Sequence, residues 1–370
     1  MLHWPVGSAL PALDRPPAGS PWADAEWRAG NRWRWLHDAP QAAKAQFAAL
    51  DGARDHVNLV RPVLDADGTG QALVARLAAK ARQGVKVHLL VGAERGWPAH
   101  RPASRLLQEA GVHLAQCPSL AEPGTRWWPG AAAADERGAC WLVVDGRQAV
   151  VGLAGGARAP AVDGRLRPAR RQEVALAGPA VALLQARFID AWQAASGRRP
   201  YLARYFPQPT PRGEGLVALA VDDQPLCRAL HGARRSVLVA VERWQPTPAL
   251  AAAAEGALQR GVELRVLLPA DDDGRPLHRV HGRLSGVRMH AIARRRWPGE
   301  LASVDGRWAV FGPTGADCGD GRHPAAMPWL PALLCADADA AAQLTAELRQ
   351  DLQRGRPLPP PRAWFLRWLG

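Results

Sequence analysis

The stretch CWLVVDGRQAVVG, residues 140–152, has the pattern of a buried strand, an Asp-Gly turn and a second apolar strand. A second copy of this pattern, ASVDGRWAVFG, occupies residues 302–312. The segments upstream of the two copies also match, since AAKARQGVKVHLL at 78–90 parallels AEGALQRGVELRVLL at 254–268. The sequence therefore predicts an internal duplication.

Each half of the chain alternates helical and strand patterns, which favours a mostly parallel sheet flanked by helices. Helical patterns lie at 41–54, 71–84, 101–111 and 179–195 in the first half, and at 224–235, 248–261, 278–286 and 338–353 in the second. Strand patterns lie at 56–64, 85–91 and 112–117, and at 236–244, 262–269 and 287–292. The predicted fold class is α/β, with two tandem lobes that each contain a mixed, mostly parallel sheet.

Composition changes along the chain suggest five segments. They are a Pro-rich N-terminal segment (1–29), a first lobe (30–196), a linker (197–214), a second lobe (215–355) and a Pro-rich, aromatic tail (356–370). The stretch SGRRPYLARYFPQPTPRG at 196–213, which covers nearly all of this linker, is rich in the residues that interrupt regular structure. A chain of 370 residues is long enough for two cores of this kind.

The chain is strongly basic, with 47 Lys and Arg against 34 Asp and Glu and a net charge of +13. Only Lys44, Lys80 and Lys86 are lysines, so arginine supplies nearly all the positive charge. A GC-rich coding sequence would explain this bias, and an anionic partner such as an acidic membrane surface would explain it equally well. The arginines are spread along the chain and do not alternate with aromatic residues, which disfavours nucleic acid as the partner.

The five cysteines are scattered and lack CxxC spacing, which argues against a disulfide framework and a zinc site. No cofactor or metal is predicted. The Pro-interrupted N-terminus does not resemble a signal peptide, and no apolar run of 18 residues predicts a transmembrane helix. We therefore expect a cytoplasmic protein, at most peripheral on the inner membrane face.

The duplicated frame resembles the phospholipase D superfamily and, within it, the bacterial cardiolipin synthase-like branch. The resemblance runs from about residue 30 to about residue 352 and rests on several segments in the family's order. They include GVKVHLLV, GPAVALLQARFIDAW, RWQPTPALAAAAEGALQRGVELRVLLP and VDGRWAVFG. The family's chemistry uses one H-x-K-x4-D motif from each lobe. One histidine attacks phosphorus, the other transfers protons, and the lysines stabilise the phosphoryl charge.

Both motifs are degenerate in this chain. Aligned on the two aspartates, the motif positions for His, Lys and Asp are Gly138, Cys140 and Asp145 in the first lobe, and Pro298, Glu300 and Asp305 in the second. The asparagine that the family has ten residues further on is Gly155 or Gly315. The substitutes that we considered for the missing groups are Cys140, His113, His278, His281 and His290. A structural role is favoured for each of them.

Two aromatic stretches suit contact with lipid. GTRWWPG contains Trp127 and Trp128, and PRAWFLRWLG at the C-terminus contains Trp364 and Trp368. Tryptophan beside arginine is typical of segments that lie at an anionic membrane interface. Packing of the C-terminal stretch onto its own domain is an equal alternative.

Three functions remain open from the sequence. The favoured one is a pseudoenzyme that binds anionic phospholipid or regulates an active phospholipase D-type relative. The second is an active cardiolipin synthase-like phosphatidyltransferase with relocated catalytic residues. The third, a nucleic-acid-binding module, rests on basic charge alone. Whether the chain is an enzyme is thus left open, with the sequence leaning against it.

Overall fold

The computed structural model describes residues 15–61, 68–92, 101–117, 138–154, 173–198, 204–220, 224–271, 273–277, 280, 286–293, 300–316 and 332–359. The described residues form two compact units. The first lies between Ala25 and Leu219, and the second contains Pro17–Asp24, the residues from Ala220 to Ala325 and those from Ala332. The domain limits inferred from composition stay a prediction.

The first unit contains eight strands and four helices among its described residues. In chain order they are β1 (Arg28–Leu36), α1 (Ala39–Asp51), β2 (His56–Arg61), α2 (Gly68–Arg82), β3 (Lys86–Gly92), α3 (Arg101–Glu109), β4 (His113–Cys117), β5 (Gly138–Val144), β6 (Gln148–Ala154), β7 (Glu173–Ala177), α4 (Val181–Ser196) and β8 (Gly215–Leu219). The strand order across the sheet is β8-β1-β7-β6-β5-β2-β3-β4.

The described part of the second unit contains seven strands and three helices. They are α5 (Pro225–Gly232), β9 (Ser236–Ala240), α6 (Pro248–Gln259), β10 (Glu263–Ala270), β11 (Arg288–Ala293), β12 (Leu301–Val304), β13 (Trp308–Phe311), β14 (Leu333–Cys335), α7 (Ala338–Arg354) and β15 (Arg356–Pro357). Its strand order is β15-β11-β10-β9-β12-β13-β14. Apart from β15, this order repeats the order β4-β3-β2-β5-β6-β7 of the first unit.

This repeat confirms the tandem α/β duplication, but the parallel part of each sheet is narrower than expected. Among the described strands, only β2, β3 and β4 in the first unit, and β9, β10 and β11 in the second, pair in parallel. The Asp-Gly segments form antiparallel hairpins, and these add antiparallel strands to each sheet. The predicted mixed sheets are confirmed, and their antiparallel share is larger than expected because tight turns can join only antiparallel neighbours.

Local sequence explains where the helices begin. The carboxylate of Asp38 accepts the Gln41 N–H at 2.7 Å, and the hydroxyl of Thr247 accepts the Leu250 N–H at 3.2 Å. Both caps are followed within two residues by a proline in the first helical turn. The predicted helix at 278–286 lies almost wholly outside the described residues.

The core of the first unit fills the space between the sheet and helices α1, α2 and α3. Its strands contribute alternate residues such as Val57, Leu59, Val87, Leu89 and Leu142, which belong to one buried cluster with apolar residues of the helices. Helix α4 contacts strands β2, β4, β5 and β6. In the second unit, α7 contacts the strands from β9 to β13. This packing fixes the strand ends at which the motif residues lie.

Candidate functional site

The two motif aspartates occupy equivalent positions in the two Asp-Gly turns. Asp145 and Asp305 have φ angles of 52° and 54°, and the glycines that follow also have positive φ. The N–H of Arg147 donates to the Val144 carbonyl at 3.0 Å, which closes a turn of type I′ character. Asp and Gly are the residues that tolerate these angles, so the turn explains the shared dipeptide.

Each aspartate also joins its turn to the start of a neighbouring strand. The carboxylate of Asp145 accepts the backbone N–H groups of Arg54, Asp55 and His56 at 3.0, 2.8 and 2.9 Å. That of Asp305 accepts the N–H groups of the corresponding residues Arg234, Arg235 and Ser236, at distances between 2.7 and 3.2 Å. We call each of these arrangements an aspartate latch. The expectation that the dipeptide serves the hairpin is thus extended: the carboxylate holds two segments of the sheet together.

In the first unit, the position of the motif lysine lies in a row of side chains across four strands. Cys140 pairs with Gly152, and Gly152 pairs with Glu173. On the other side, Nη1 of Arg61 lies 3.9 Å from the Cys140 Sγ atom. We call Arg61, Cys140, Gly152 and Glu173 the cysteine row. It lies at the end of β2 and the start of β5, at the opposite end of these strands from Asp145.

The side chains of the cysteine row are buried. Arg61 is 7% exposed, Cys140 7% and Glu173 5%. Nε2 of Gln46 on α1 donates to the Glu173 carboxylate at 3.0 Å. Gly152 leaves room for that carboxylate, because a Cβ atom there would lie 2.7 Å from Cδ of Glu173. The row therefore contains a cation, a thiol and a carboxylate, but no imidazole and no amine.

In the second unit, Glu300 is the predicted counterpart of the motif lysine, and its carboxylate is engaged within the protein. The Glu300 Oε2 atom accepts the Thr314 backbone N–H at 2.5 Å and also contacts the Thr314 hydroxyl. Thr314 has no exposed surface. The carbonyl of Glu300 accepts the N–H of Gly312 at 3.0 Å. We call Glu300, Gly312 and Thr314 the glutamate row.

The other residues singled out in the sequence are partly within the described ranges. Gly138 is the first residue of β5, and Gly315 follows Thr314 with φ of 83°. Outside the described residues lie Gly155, Pro298, His278, His281, Trp127, Trp128, Trp364 and Trp368.

Three histidines of the described part of the first unit lie away from the cysteine row, whereas the fourth, His37, directly follows Leu36, the β1 residue that pairs with Glu173. His56 begins β2, His113 begins β4, and His88 is the third residue of β3. Because these strands are parallel, the three residues lie toward the amino ends, whereas Arg61 ends β2. Arg61 lies five residue steps along β2 from His56, a distance of about 16 Å. In the second unit, His290 on β11 is 9% exposed and lies against Gly355.

Burial is the main influence on the pKa values of His56 and His88. It lowers the pKa of His56, although a hydrogen bond of 2.8 Å from Nδ1 to the Asp55 carboxylate opposes that shift. Burial, together with the charges of His113, His56 and Lys86, lowers the pKa of His88 to about 4. Nδ1 of His88 lies 3.1 Å from the Asn58 amide oxygen. The His88 imidazole is therefore neutral near pH 7, and it packs against the Trp192 ring with 4.7 Å between the ring centres.

Within the described ranges, no group of three His, Cys, Asp or Glu residues is arranged to hold a metal ion. No helix in the same ranges combines the length and apolar character needed to cross a membrane.

Sequence reasoning missed Arg61, Gln46, Glu173 and Thr314. Arg61 and Glu173 are separated by 112 positions in the chain and meet only through the strand register. The sequence did contain a signal for Arg61 and Glu173, because Arg61 ends an apolar strand segment with a charge and Glu173 begins one with a charge.

Comparisons with known proteins agree with this architecture, although no family model matches the chain. Cardiolipin synthase A of Pseudomonas putida (strain W619) is 28% identical over 370 residues, which cover 95% of this chain and 73% of that protein. Cardiolipin synthase A of Pseudomonas entomophila (strain L48) is 27% identical, with coverage of 94% and 74%. The crystal structure of phosphatidylserine synthase from Haemophilus influenzae shares the fold, with a TM-score of 0.59, 12% identity and coverage of 89% and 88%. The chain is thus similar in sequence to cardiolipin synthase A proteins over nearly its whole length, and it shares the fold of phosphatidylserine synthase.

Proposed function

We propose that this chain is a phospholipase D-like protein that binds anionic phospholipid and does not transfer phosphatidyl groups by the two-histidine mechanism. The observation that carries the proposal is the content of the two rows. The lysine positions hold Cys140 and Glu300, and the described parts of both rows lack a histidine. A phosphohistidine cannot form there, and no ammonium group is present to stabilise phosphoryl charge.

The electrostatics of the glutamate row add to this argument. A carboxylate at the position of a phosphate-binding lysine repels a phosphodiester. Glu300 also occupies the two hydrogen-bond donors of Thr314, which a phosphoryl oxygen would otherwise need. In the cysteine row, Glu173 places a second carboxylate near the thiol, beyond the one glycine that separates them.

The aspartate latches also support the proposal that the chain does not transfer phosphatidyl groups. Asp145 and Asp305 are the motif residues that this chain keeps, and each accepts three backbone N–H groups. A structural role is sufficient reason to keep them. Their presence is therefore no sign of catalysis.

The proposal that the chain binds anionic phospholipid rests on the charge of the chain and on its similarity to named proteins. The protein carries a net charge of +13, and similar proteins are named for the synthesis of cardiolipin and phosphatidylserine. Basic proteins bind anionic membrane surfaces through their arginines. Regulation of an active relative would be a natural use of such binding, and co-purification of the tagged chain with a phospholipase D-type enzyme would support it.

Vesicle flotation tests the binding proposal. The full chain is mixed with phosphatidylcholine vesicles that contain or lack phosphatidylglycerol. We expect it to float with the anionic vesicles only, and less so as salt is raised. Equal recovery with both vesicle types, or none with either, would contradict the proposal.

One observation favours an active enzyme as the second candidate. The likeness to cardiolipin synthase A covers 95% of this chain and 73% of that protein. Activity would then need a histidine from elsewhere. If turnover is found, His290→Ala and Cys140→Ala variants test two of the candidates named from the sequence, and unchanged rates would exclude both.

A further inference from the structure

The turn that carries Asp305 gathers three arginines at one end of the second unit. Asp305 binds the backbone N–H groups of Arg234 and Arg235, at shortest distances of 3.0 and 2.7 Å. Arg307 is two residues further along the same turn, so its Cα lies at most about 7 Å from that of Asp305. The aspartate latch therefore brings together residues that are some 70 positions apart. We call Arg234, Arg235 and Arg307 the arginine turn.

The three guanidinium groups are exposed and have no acidic side-chain partner among the described residues. All three residues are exposed to solvent. Of the nearby carboxylates, that of Asp305 is occupied by three backbone N–H groups, and that of Glu263 pairs with Arg265, whose Nε lies 2.6 Å away. The Arg307 guanidinium lies 4.9 Å from the centre of the Trp308 ring, which supports its side chain.

The corresponding turn in the first unit is more nearly neutralised. There Asp55 takes the place of Arg235, and its carboxylate lies 2.5 Å from Nε of Arg204 and 2.8 Å from the imidazole of His56. The first turn thus has Arg54 and Arg147 without a third arginine in the latch. The excess of positive charge belongs to the second-unit turn.

We infer that the arginine turn is the surface through which the second unit contacts anionic phospholipid headgroups. This inference rests on the proposed function and assigns residues to it. Guanidinium groups bind phosphate oxygens in pairs, and an exposed hairpin end can reach the headgroup layer without any insertion of apolar residues. A lipid is favoured over a nucleic acid because the related proteins are named for phospholipid synthesis.

The test compares two triple variants of the full chain that remove the same charge. The first is Arg234→Gln/Arg235→Gln/Arg307→Gln. The matched control is Arg275→Gln/Arg288→Gln/Arg349→Gln, which changes three other exposed arginines of the same unit. Circular dichroism establishes that both fold. Affinity for phosphatidylcholine vesicles that contain phosphatidylglycerol is then measured by flotation, with single-stranded DNA binding as a parallel assay.

We expect the first variant to lose about 100-fold in vesicle affinity, since each basic residue at an anionic surface contributes roughly a factor of five. The control should stay within about threefold of wild type. Equal losses in both variants would overturn the inference, because binding would then follow total charge. Loss of DNA binding alone would overturn it in favour of nucleic acid. Wild-type protein that fails to bind vesicles would overturn the proposed function itself, before any variant is compared.

Discussion

The two units make the same contacts at the motif aspartate and have different side chains at the predicted position of the motif lysine. Their aspartate latches make the same three backbone contacts, with nearly equal φ angles of 52° and 54°. Their rows have opposite character, because one contains Arg61 beside a thiol and the other a carboxylate bound to Thr314. Elements that hold the sheet together have thus stayed alike, while the positions that would perform chemistry have diverged. This contrast is the pattern expected when a scaffold is kept without its reaction.

The latches should give the largest effect on stability. Asp305→Ala removes the acceptor of three N–H groups and puts Ala at positive φ, so we expect a loss of about 3–5 kcal/mol in the free energy of unfolding. Asp145→Ala should match it. Urea unfolding followed by tryptophan fluorescence measures both.

Asp271→Ala is the matched control for the latches, because its carboxylate accepts a single N–H from Arg275 at 2.7 Å. It should cost about 1 kcal/mol or less. A latch variant no less stable than this control would show that the turns do not secure the strands.

The next prediction concerns the dependence of stability on pH, which should differ between the first unit and the second. His88 has its pKa lowered to about 4, whereas the equivalent position in the second unit is Arg265, paired with Glu263. The unfolded chain binds a proton on this histidine below about pH 6.5, and the folded chain does so only near pH 4. Its stabilising contribution is therefore complete above pH 6.5 and falls by about 3 kcal/mol between pH 6.5 and 4.

Urea unfolding at several pH values, with Trp192 as a nearby probe of the first unit, measures this effect. His88→Gln should flatten the dependence, whereas His231→Gln on the exposed surface of α5 should leave it unchanged. The same slope in all three proteins would contradict the burial of a neutral His88.

Substitution in the glutamate row should lower the free energy of unfolding by less than substitution in the latches. Glu300→Ala leaves the N–H and hydroxyl of the buried Thr314 without this acceptor, and we expect a loss of about 2 kcal/mol. Glu300→Gln keeps one oxygen acceptor and should lose about half as much. Thermal unfolding compares the two, and an alanine variant as stable as wild type would mean that the carboxylate does not hold this loop.

The cysteine row should show the smallest change. Cys140→Ala removes one sulfur atom from a buried strand, with an expected loss of about 1 kcal/mol. Comparison of the stability losses of Cys140→Ala and Glu300→Ala shows how differently the two rows contribute to stability. A loss larger than that of Glu300→Ala would show that the thiol and Arg61 form a more important contact than the carboxylate does.

The sequence was sufficient for elements with strong local signals. The Asp-Gly hairpins, the helices closed by Gly84 and Gly261 and the repeat itself all depend on residues close together in the chain, so pattern alone predicted them. Strand β1 was missed because RAGNRWRWL mixes arginines with tryptophans. Its alternation of exposed Arg32 and Arg34 with buried Trp33 and Trp35 is visible only after pairing with β7.

The site was less predictable than the fold. Degenerate motif positions could be counted from the two aspartates, but their surroundings depend on strand register and on side chains far away in the sequence. Glu173 reaches the cysteine row through two successive strand pairings, and Thr314 meets Glu300 across a hairpin. Short-range patterns contain no information about such contacts.

The central claim is that the scaffold lacks the family's phosphatidyl transfer. The most direct test incubates the purified chain with phosphatidylglycerol vesicles and glycerol, and follows cardiolipin and released headgroup by mass spectrometry. An active phospholipase D-type enzyme and a heat-treated sample are the controls. We predict product no higher than in the heat-treated sample, with the chain still bound to the vesicles. Cardiolipin formed well above that level, in proportion to the amount of protein, would contradict the account.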